Sequence, residues 1–272
     1  MMQQQLERLA GYRRLWVLTG AGCSTASGIP AYRDHLGQWR HGNPIQHREF
    51  LADHRTRQRY WARSILGWRH VGGARPNAAH LALARLEQAG RVSQLVTQNV
   101  DGLHWLAGQR ELVELHGSLH HVHCLGCGAA YPRSGLQSAL VAANPGWLES
   151  LAPAGPDGDI ALADNESHDF TVPACTRCGG ILKPDVVFFG DTVPAARVDT
   201  ALRALRTADA MVAVGSSLMV YSGFRFARAA TEWGIPLVII NQGITRADPL
   251  AQINIQADCG MALSRLSELL GA

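Results

Sequence analysis

Short apolar runs that stop abruptly at polar, glycine- or asparagine-rich turns recur along the chain. Residues 15–19 (Leu-Trp-Val-Leu-Thr) stop at Gly20-Ala21-Gly22, and 94–97 stop at Gln98-Asn99; 211–214 stop at Gly215-Ser216-Ser217, and 237–240 at Asn241-Gln242. Runs this short, apolar without strict alternation, suit strands covered on both faces, as in a parallel sheet. Between them lie stretches with helical periodicity, His80 to Ala89 closed by Gly90, and Val198 to Ala208. Alternating strands and helices predict an α/β fold, a Rossmann-like doubly wound parallel sheet. In such sheets ligands bind beyond the carboxyl ends of the strands, where all of these turns would sit.

Two segments break the pattern. Residues 36–75 are rich in Arg, His and Trp and read as helical, whereas 120–182 carry cysteine pairs around a Pro/Gly/Asp-rich middle, Asn144 to Pro173, that reads as a long loop. The sheet domain is therefore expected in three parts, 1–35, 76–119 and 183–272, with a helical insert over 36–75 and a metal-binding module over 120–182. Met1 to Leu9 is a polar, Gln-rich stretch expected to run directly into the first strand. It has no basic region followed by an apolar one, which predicts a cytoplasmic protein.

Composition narrows the classes. The chain has 272 residues, 47% apolar and 17% charged, and no apolar run approaches the roughly 20 residues that span a bilayer. No membrane association is expected. The net charge of +3 is spread along the chain, so nothing resembles a nucleic-acid footprint. Lys183 is the only lysine. Oligomeric state is left open.

Six cysteines are present: Cys23, Cys124, Cys127, Cys175, Cys178 and Cys259. Cys124-x-x-Cys127-Gly and Cys175-x-x-Cys178-Gly are two knuckles, each presenting two thiolates from one tight turn, and together they make a tetrahedral zinc site. With all four positions filled by sulfur no water can bind, so the zinc is read as structural. Cys23 and Cys259 are read as buried small hydrophobes.

Other motifs carry chemistry at the sheet edge. Gly20-Ala21-Gly22-Cys23-Ser24 is a phosphate cradle or else a tight strand–helix turn, and Thr25 stands where a G-x-G-x-x-G fingerprint needs its third glycine. Gly28-Ile29-Pro30-Ala31-Tyr32-Arg33-Asp34 follows as a loop able to close over a nucleotide. Thr97-Gln98-Asn99-Val100-Asp101 ends a strand in polar groups that want partners, from a ligand or, for Asn99 or Asp101, from capping the next helix. Glu114-Leu115-His116-Gly117-Ser118 offers an imidazole suited to a general base, with His120, His121 and His123 as competitors.

In this order, Gly20-Ala21-Gly22-x-Ser24 with Gly28-Ile29-Pro30-x-Tyr32-Arg33, Thr97-Gln98-Asn99-Val100-Asp101, His116-Gly117, the knuckles, Lys183-Pro184-Asp185-Val186-Val187-Phe188-Phe189-Gly190 and Gly215-Ser216-Ser217 closely resemble the sirtuin family over nearly the whole chain. Arg59 to Arg63 and Lys183 to Asp191 look most like the class II branch, which contains the mitochondrial lipoamidase-type sirtuin, and Pro153 to Asp159 resembles that branch's extra loop. Cys23 and Tyr32 depart from the commoner apolar residue and Phe.

The resemblance implies an NAD-dependent protein-lysine deacylase with NAD as consumed co-substrate and one structural zinc. Gly20, Ala21, Gly22, Ser24, Thr25, Tyr32 and Arg33 would hold the diphosphate and nicotinamide side; Gln98, Asn99 and Asp101 the ribose and nicotinamide pocket. Gly215, Ser216, Ser217, Asn241, Gln242 and Cys259 would hold the adenosine half. His116 would be the general base, with Asn99 as the second catalytic residue. Val186, Phe188 and Gly190 would pair with an acyl-lysine peptide as an added strand. Tyr60 and Arg63 match a pair that binds acidic acyl chains, so the acyl range would include acidic or longer chains. In the implied chemistry the acyl oxygen attacks the ribose carbon as nicotinamide leaves, and His116 then activates a ribose hydroxyl, giving O-acyl-ADP-ribose. Mono-ADP-ribosyl transfer to protein, and a weakly active NAD-sensing interaction module, are the alternatives.

Overall fold

Strand β1 (Leu15–Thr19) is buried along its whole length, and its side chains alternate between two apolar layers, Leu15 and Val17 in one and Trp16 and Leu18 in the other. The computed structural model describes residues 1–38, 44–149 and 167–272. Around β1 lie β2 (Val92–Thr97), β3 (Leu112–Glu114), β7 (Ala210–Val214), β8 (Leu237–Ile240) and β9 (Ile253–Ile255) in the order β3-β2-β1-β7-β8-β9. Every pairing in this sheet is parallel. Strand order reverses between β1 and β7, and this reversal leaves a crevice at the carboxyl ends of those two strands.

Helices cover both faces, as the unbroken apolar runs require. One layer is built by α1 (Met2–Ala10), α4 (Ala78–Gln88) and α9 (Cys259–Leu269), which bury Leu6, Leu9, Leu83, Leu86, Leu263 and Leu266. The other comes from α7 (Ala195–Leu205) and α8 (Tyr221–Glu232), with Ala201, Leu205, Phe226 and Ala230. Trp16 is wholly buried in this layer and its indole N–H donates to the Ala201 carbonyl at 3.1 Å.

The N-terminal expectation is corrected here. Residues 2–10 do not run into β1 as a polar stretch; they form α1, with Leu6 and Leu9 fully buried three residues apart. Nine residues are too few to hold a helix in water. Burial of two leucines, worth about 1.5–3 kcal/mol each, supplies what propensity does not.

The second layer system is a three-stranded antiparallel sheet, β5 (Ala130–Pro132), β4 (Gly117–Cys124) and β6 (Leu182–Val186), in the order β5-β4-β6. Helices α2 (His47–Ala52), α3 (His54–Gly73) and α6 (Arg133–Ala143) lie with it, and Trp61, Ile65, Val122, Leu136, Leu140 and Leu182 make its core. Asp53 starts α3 by accepting from the backbone N–H groups of Arg55 and Thr56. The long 36–75 stretch is thus helical from residue 47 onward, as its composition predicts.

Arg133 is 1% exposed, yet among the described residues no carboxylate holds it. Its guanidinium lies 5.5 Å from the Trp61 ring and 5.1 Å from the Trp68 ring, and it donates to the Ser64 carbonyl and hydroxyl and to Gln137. Burial pushes its pKa down to about 10. The Pro/Gly/Asp-rich segment lies partly outside the described residues, and Pro153 to Asp159, which resembles the class II extra loop, falls entirely there. Its flanks meet: Asn144 Oδ1 accepts from Thr171 N at 2.7 Å while its Nδ2 donates to Thr171 O at 2.9 Å.

Candidate active site

The ends of β1 and β7 are interlocked through glycine. Gly22 N donates to Gly215 O at 2.8 Å and Gly20 N donates to Val214 O at 3.0 Å. Gly215 adopts φ +58°, and a Cβ there would meet the Cys23 nitrogen and come within 2.7 Å of the Gly22 carbonyl carbon. Only glycine permits this approach. Three residues on, buried Leu218 is held at φ 55°, a strained conformation costing about 1–3 kcal/mol for a non-glycine residue.

A cleft of about 620 Å³ opens over this junction, within the usual size of a site for a small molecule or cofactor. Its lining includes Gly20, Ala21, Gly22, Thr25, Tyr32 and Arg33 from the first loop, Gln98 and Asn99 after β2, and His116 after β3. Gly215, Ser216 and Ser217 enter from β7, Asn241 and Gln242 from β8, and Cys259 from α9. Val186, Phe188 and Gly190 line the side next to the small sheet, together with Tyr60. Ser24 and Asp101 are not in this lining; they border an adjoining side pocket of about 30 Å³, where Asn99 and Gln98 also lie.

Ser24 and Asp101 act from beneath. Ser24 Oγ donates to Asp101 Oδ2 at 2.7 Å and accepts from Asn99 Nδ2 at 3.0 Å, while Asn99 Nδ2 also reaches the Gly20 carbonyl at 3.1 Å. The N-cap of the short helix α5 (Leu103–Leu106) is Gly102 and not Asp101 or Asn99, which corrects the capping alternative; Asp101 Oδ1 accepts from the Leu103 N–H one residue beyond that cap at 2.9 Å. Gln98 Oε1 accepts from Ser216 Oγ at 2.7 Å. The polar end of β2 is thus tied into the loops of β1 and β7, and the Asn99 and Gln98 side chains are fixed at the cleft wall.

His116 is the member of the His116, His120, His121 and His123 set that lines the cleft. Its Nδ1 lies 2.9 Å from the Gln98 carbonyl oxygen, a pure acceptor, so Nδ1 carries the proton and the neutral ring keeps its lone pair on Nε2. That Nε2 lies 2.8 Å from Ser222 Oγ. Burial lowers the pKa of His116 below its ordinary value; the Gln98 carbonyl opposes the shift, and Arg197 and Arg225 add to it. The ring is therefore neutral at pH 7, the state a base requires. His120 is engaged elsewhere, at 2.9 Å from the Asp101 carbonyl and edge-on to Trp68.

The side of the cleft next to the small sheet is braced by the only lysine of the sequence. Lys183 is 4% exposed, donates to the Pro184 and Val186 carbonyls and lies 4.5 Å from the Phe188 ring centroid. Val187 N donates to the His116 carbonyl at 2.8 Å, which puts this segment directly beside the imidazole.

The four knuckle cysteines converge. Their sulfurs all lie within 4.8 Å of one another, with Cys124 and Cys178 at 3.4 Å and Cys127 and Cys175 at 3.7 Å. A tetrahedral zinc with Zn–S near 2.3 Å has sulfur–sulfur edges of about 3.8 Å, so the set fits the ion. Cys23, His80 and His104 also cluster. There, however, His80 Nδ1 accepts from Asn77 N and His104 Nε2 is 2.9 Å from Thr19 Oγ1, which ties both rings into the core. Burial raises the thiol pKa of Cys23 well above its ordinary value and that of Cys259 to about 12, so both stay neutral, as small hydrophobes do.

Residues 20–222 match the Sir2 family. The chain belongs to it. An NAD-dependent protein deacetylase of Bordetella bronchiseptica is 55% identical over 258 residues, covering 95% of this Sir2 chain and 94% of its own. The mitochondrial NAD-dependent protein lipoamidase sirtuin-4 of Bos taurus is 48% identical, covering 92% and 81%. A solved Sir2 structure with a p53 peptide and NAD⁺ has a TM-score of 0.77 at 30% identity, covering 100% of this chain and 99% of that one.

Two placements in this Sir2 chain were not legible from motifs. Arg63 is half-buried and lies outside the cleft lining, although Tyr60 belongs to it. No motif in the sequence singles out Ser222. In the structure Val220 is the N-cap of α8, and Ser222, one turn-position inside, lines the cleft and faces His116.

Proposed function

We propose that this Sir2-family chain is an NAD-dependent protein-lysine deacylase that releases nicotinamide and O-acyl-ADP-ribose, with an acyl range that includes acidic or longer chains. The observation that carries the reading is a neutral imidazole, proton fixed on Nδ1 and lone pair on Nε2, in the wall of a glycine-built dinucleotide-sized cleft. When bound, NAD⁺ supplies a labile glycosidic bond and ribose hydroxyls.

The residues divide the work. Gly20, Ala21, Gly22, Thr25, Tyr32 and Arg33 hold the diphosphate and nicotinamide side, because strand-end amides and close backbone approach suit phosphate. Gln98 and Asn99 orient the ribose and nicotinamide, and Ser24 and Asp101 fix Asn99 from below. Gly215, Ser216, Ser217, Asn241, Gln242 and Cys259 hold the adenosine half. His116 Nε2 takes a proton from a ribose hydroxyl, assisted by Asn99 as orienting partner. Val186, Phe188 and Gly190 offer a strand edge to an acyl-lysine protein or peptide, and Tyr60, on the cleft wall, bears on the acyl preference, while Arg63, outside that lining, acts on it only indirectly. The zinc holds the small module and takes no part in chemistry.

The domain division follows the same logic: segments 1–35, 76–119 and 183–272 make the NAD domain, with 36–75 the helical insert and 120–182 the zinc-binding module, except that residues 117–119 and 183–186 belong to the small antiparallel sheet. Among the described residues no helix is long and apolar enough to cross a membrane, and a cytoplasmic location is proposed, with no nucleic-acid partner.

The test is a mass-spectrometric assay with NAD⁺ and acetyl-, succinyl-, glutaryl-, lipoyl- and long-chain acyl-lysine peptides, run beside His116→Ala. Removal of at least one acyl group with O-acyl-ADP-ribose as product supports the reading. ADP-ribose appearing on protein without deacylation overturns it in favour of ADP-ribosyl transfer.

A further inference from the structure

The lone pair of His116 does not face the cleft bare. Because the Gln98 carbonyl holds the Nδ1 proton, Nε2 is an acceptor, and Ser222 Oγ at 2.8 Å must donate to it in the neutral ring. The oxygen of Ser222 keeps two lone pairs, and Ser222 belongs to the cleft lining.

The placement is built by the backbone around it. Ser222 is the second residue of α8, whose N-cap Val220 makes no side-chain cap hydrogen bond. The following Gly223 lets α8 approach Gln98: a Cβ there would lie 2.6 Å from Gln98 Nε2. Gln98 in turn is fixed by Ser216. One residue, Gln98, therefore sets both the proton on the far side of the imidazole and the height of the helix that carries the serine.

We infer that Ser222 is a proton relay between His116 and the hydroxyl that His116 deprotonates. This rests on His116 being the base of the proposed reaction. The substrate O–H bond breaks and its proton bonds to Ser222 Oγ; the Ser222 O–H bond breaks and that proton bonds to His116 Nε2; the substrate oxygen keeps the electron pair with which it attacks. Serine is regenerated and the ring becomes imidazolium, its new N–H donating to the Ser222 oxygen. A hydroxyl can donate to the neutral ring and accept from the charged one without moving its heavy atom, which a methyl cannot do and a mobile water does less reproducibly.

The test compares wild type, Ser222→Ala and Ser222→Thr. In the ligand-free protein, nitrogen-15 NMR of the imidazole should show the His116 Nε2 signal of Ser222→Ala moving toward that of a bare, unbonded ring nitrogen, with Ser222→Thr staying near wild type. In turnover, Ser222→Ala should lose about 100-fold in kcat, the lower end of what a positioned proton-transfer group contributes, while its nicotinamide–NAD⁺ exchange continues, since the relay acts after nicotinamide leaves. A proton inventory in mixed light and heavy water should bow for wild type, with two protons in flight, and become linear for Ser222→Ala; Ser222→Thr should restore the bow. An unmoved Nε2 signal, or an inventory the same in all three proteins, overturns the relay. Absence of nicotinamide exchange in wild type instead overturns the deacylase reading itself.

Discussion

The Nδ1 of His116 lies 2.9 Å from the backbone oxygen of Gln98, the residue that follows β2. The contact fixes the tautomer and, with burial lowering the imidazole below its ordinary 6.5, decides when the ring can act. The base is active when neutral. Deacylation should therefore be independent of this group well above pH 6.5 and fall as pH drops through the lowered pKa, so the acid limb of kcat/KM, which reports the free enzyme, lies below 6.5. A limb above 7 would contradict the assignment. His116→Ala should lower kcat by about 10²- to 10⁴-fold, read by product formation, and should remove that limb.

Stability should follow pH in the same direction for a different reason. His104 is wholly buried, and burial followed by repulsion from His80 pushes it well below 6.5; His80 is itself lowered by burial, against the pull of Asp101. The unfolded chain thus binds protons that the folded chain refuses. Folding stability is fully present above about pH 6.5 and declines as pH falls from there through the lowered values. Denaturant midpoints taken at several pH values between 7.5 and 5 should decrease monotonically, and a rise toward acid would contradict the burial of these rings.

Gly215→Ala should damage both fold and cofactor binding. The φ of +58° alone is costly for alanine, and the added Cβ would strike the first loop at Gly22 and Cys23. A loss of about 2–4 kcal/mol is expected from strain and overpacking together, measured by urea denaturation. NAD⁺ affinity by calorimetry should fall as well.

Arg133→Met tests the buried cation. Beside the rings of Trp61 and Trp68 the arginine meets no acid among the described residues, and its donors satisfy Ser64 and Gln137. Replacing it leaves those acceptors unpaired but removes a desolvated charge. The expected change is a modest loss of about 1–3 kcal/mol, against a larger loss for Arg133→Ala, which also leaves a cavity.

Much of this was legible because the informative signals were local. β1 and β8 fall at the residues their apolar runs mark, and the knuckles converge as the cysteine spacing requires. The turns after β1, β2, β7 and β8 all reach the cleft. What escaped was set by tertiary contact. β9 is three residues long and too short for any periodicity. α1 hides under its glutamines because its only fully buried residues are Leu6 and Leu9. The role of Ser222 depends on a partner 106 positions away, which no window on the sequence can contain. Arg63 illustrates the reverse: spacing puts it on a face with Tyr60, but packing leaves it outside the cleft lining.

Removing zinc, by chelator or by Cys175→Ala, should reach the imidazole without touching it. Strand β4 starts at Gly117, next to His116, and ends at Cys124, one of the four sulfur ligands, a reach of about 23 Å at 3.3 Å per residue. Stripped protein should lose thermal stability and activity together, and restored metal should return both. A single extended ribbon is thus anchored by an ion at one tip and steers the base at the other: the metal serves as the fixed end of a lever, and any change in how firmly it is clamped should surface as a change in aim at the far end.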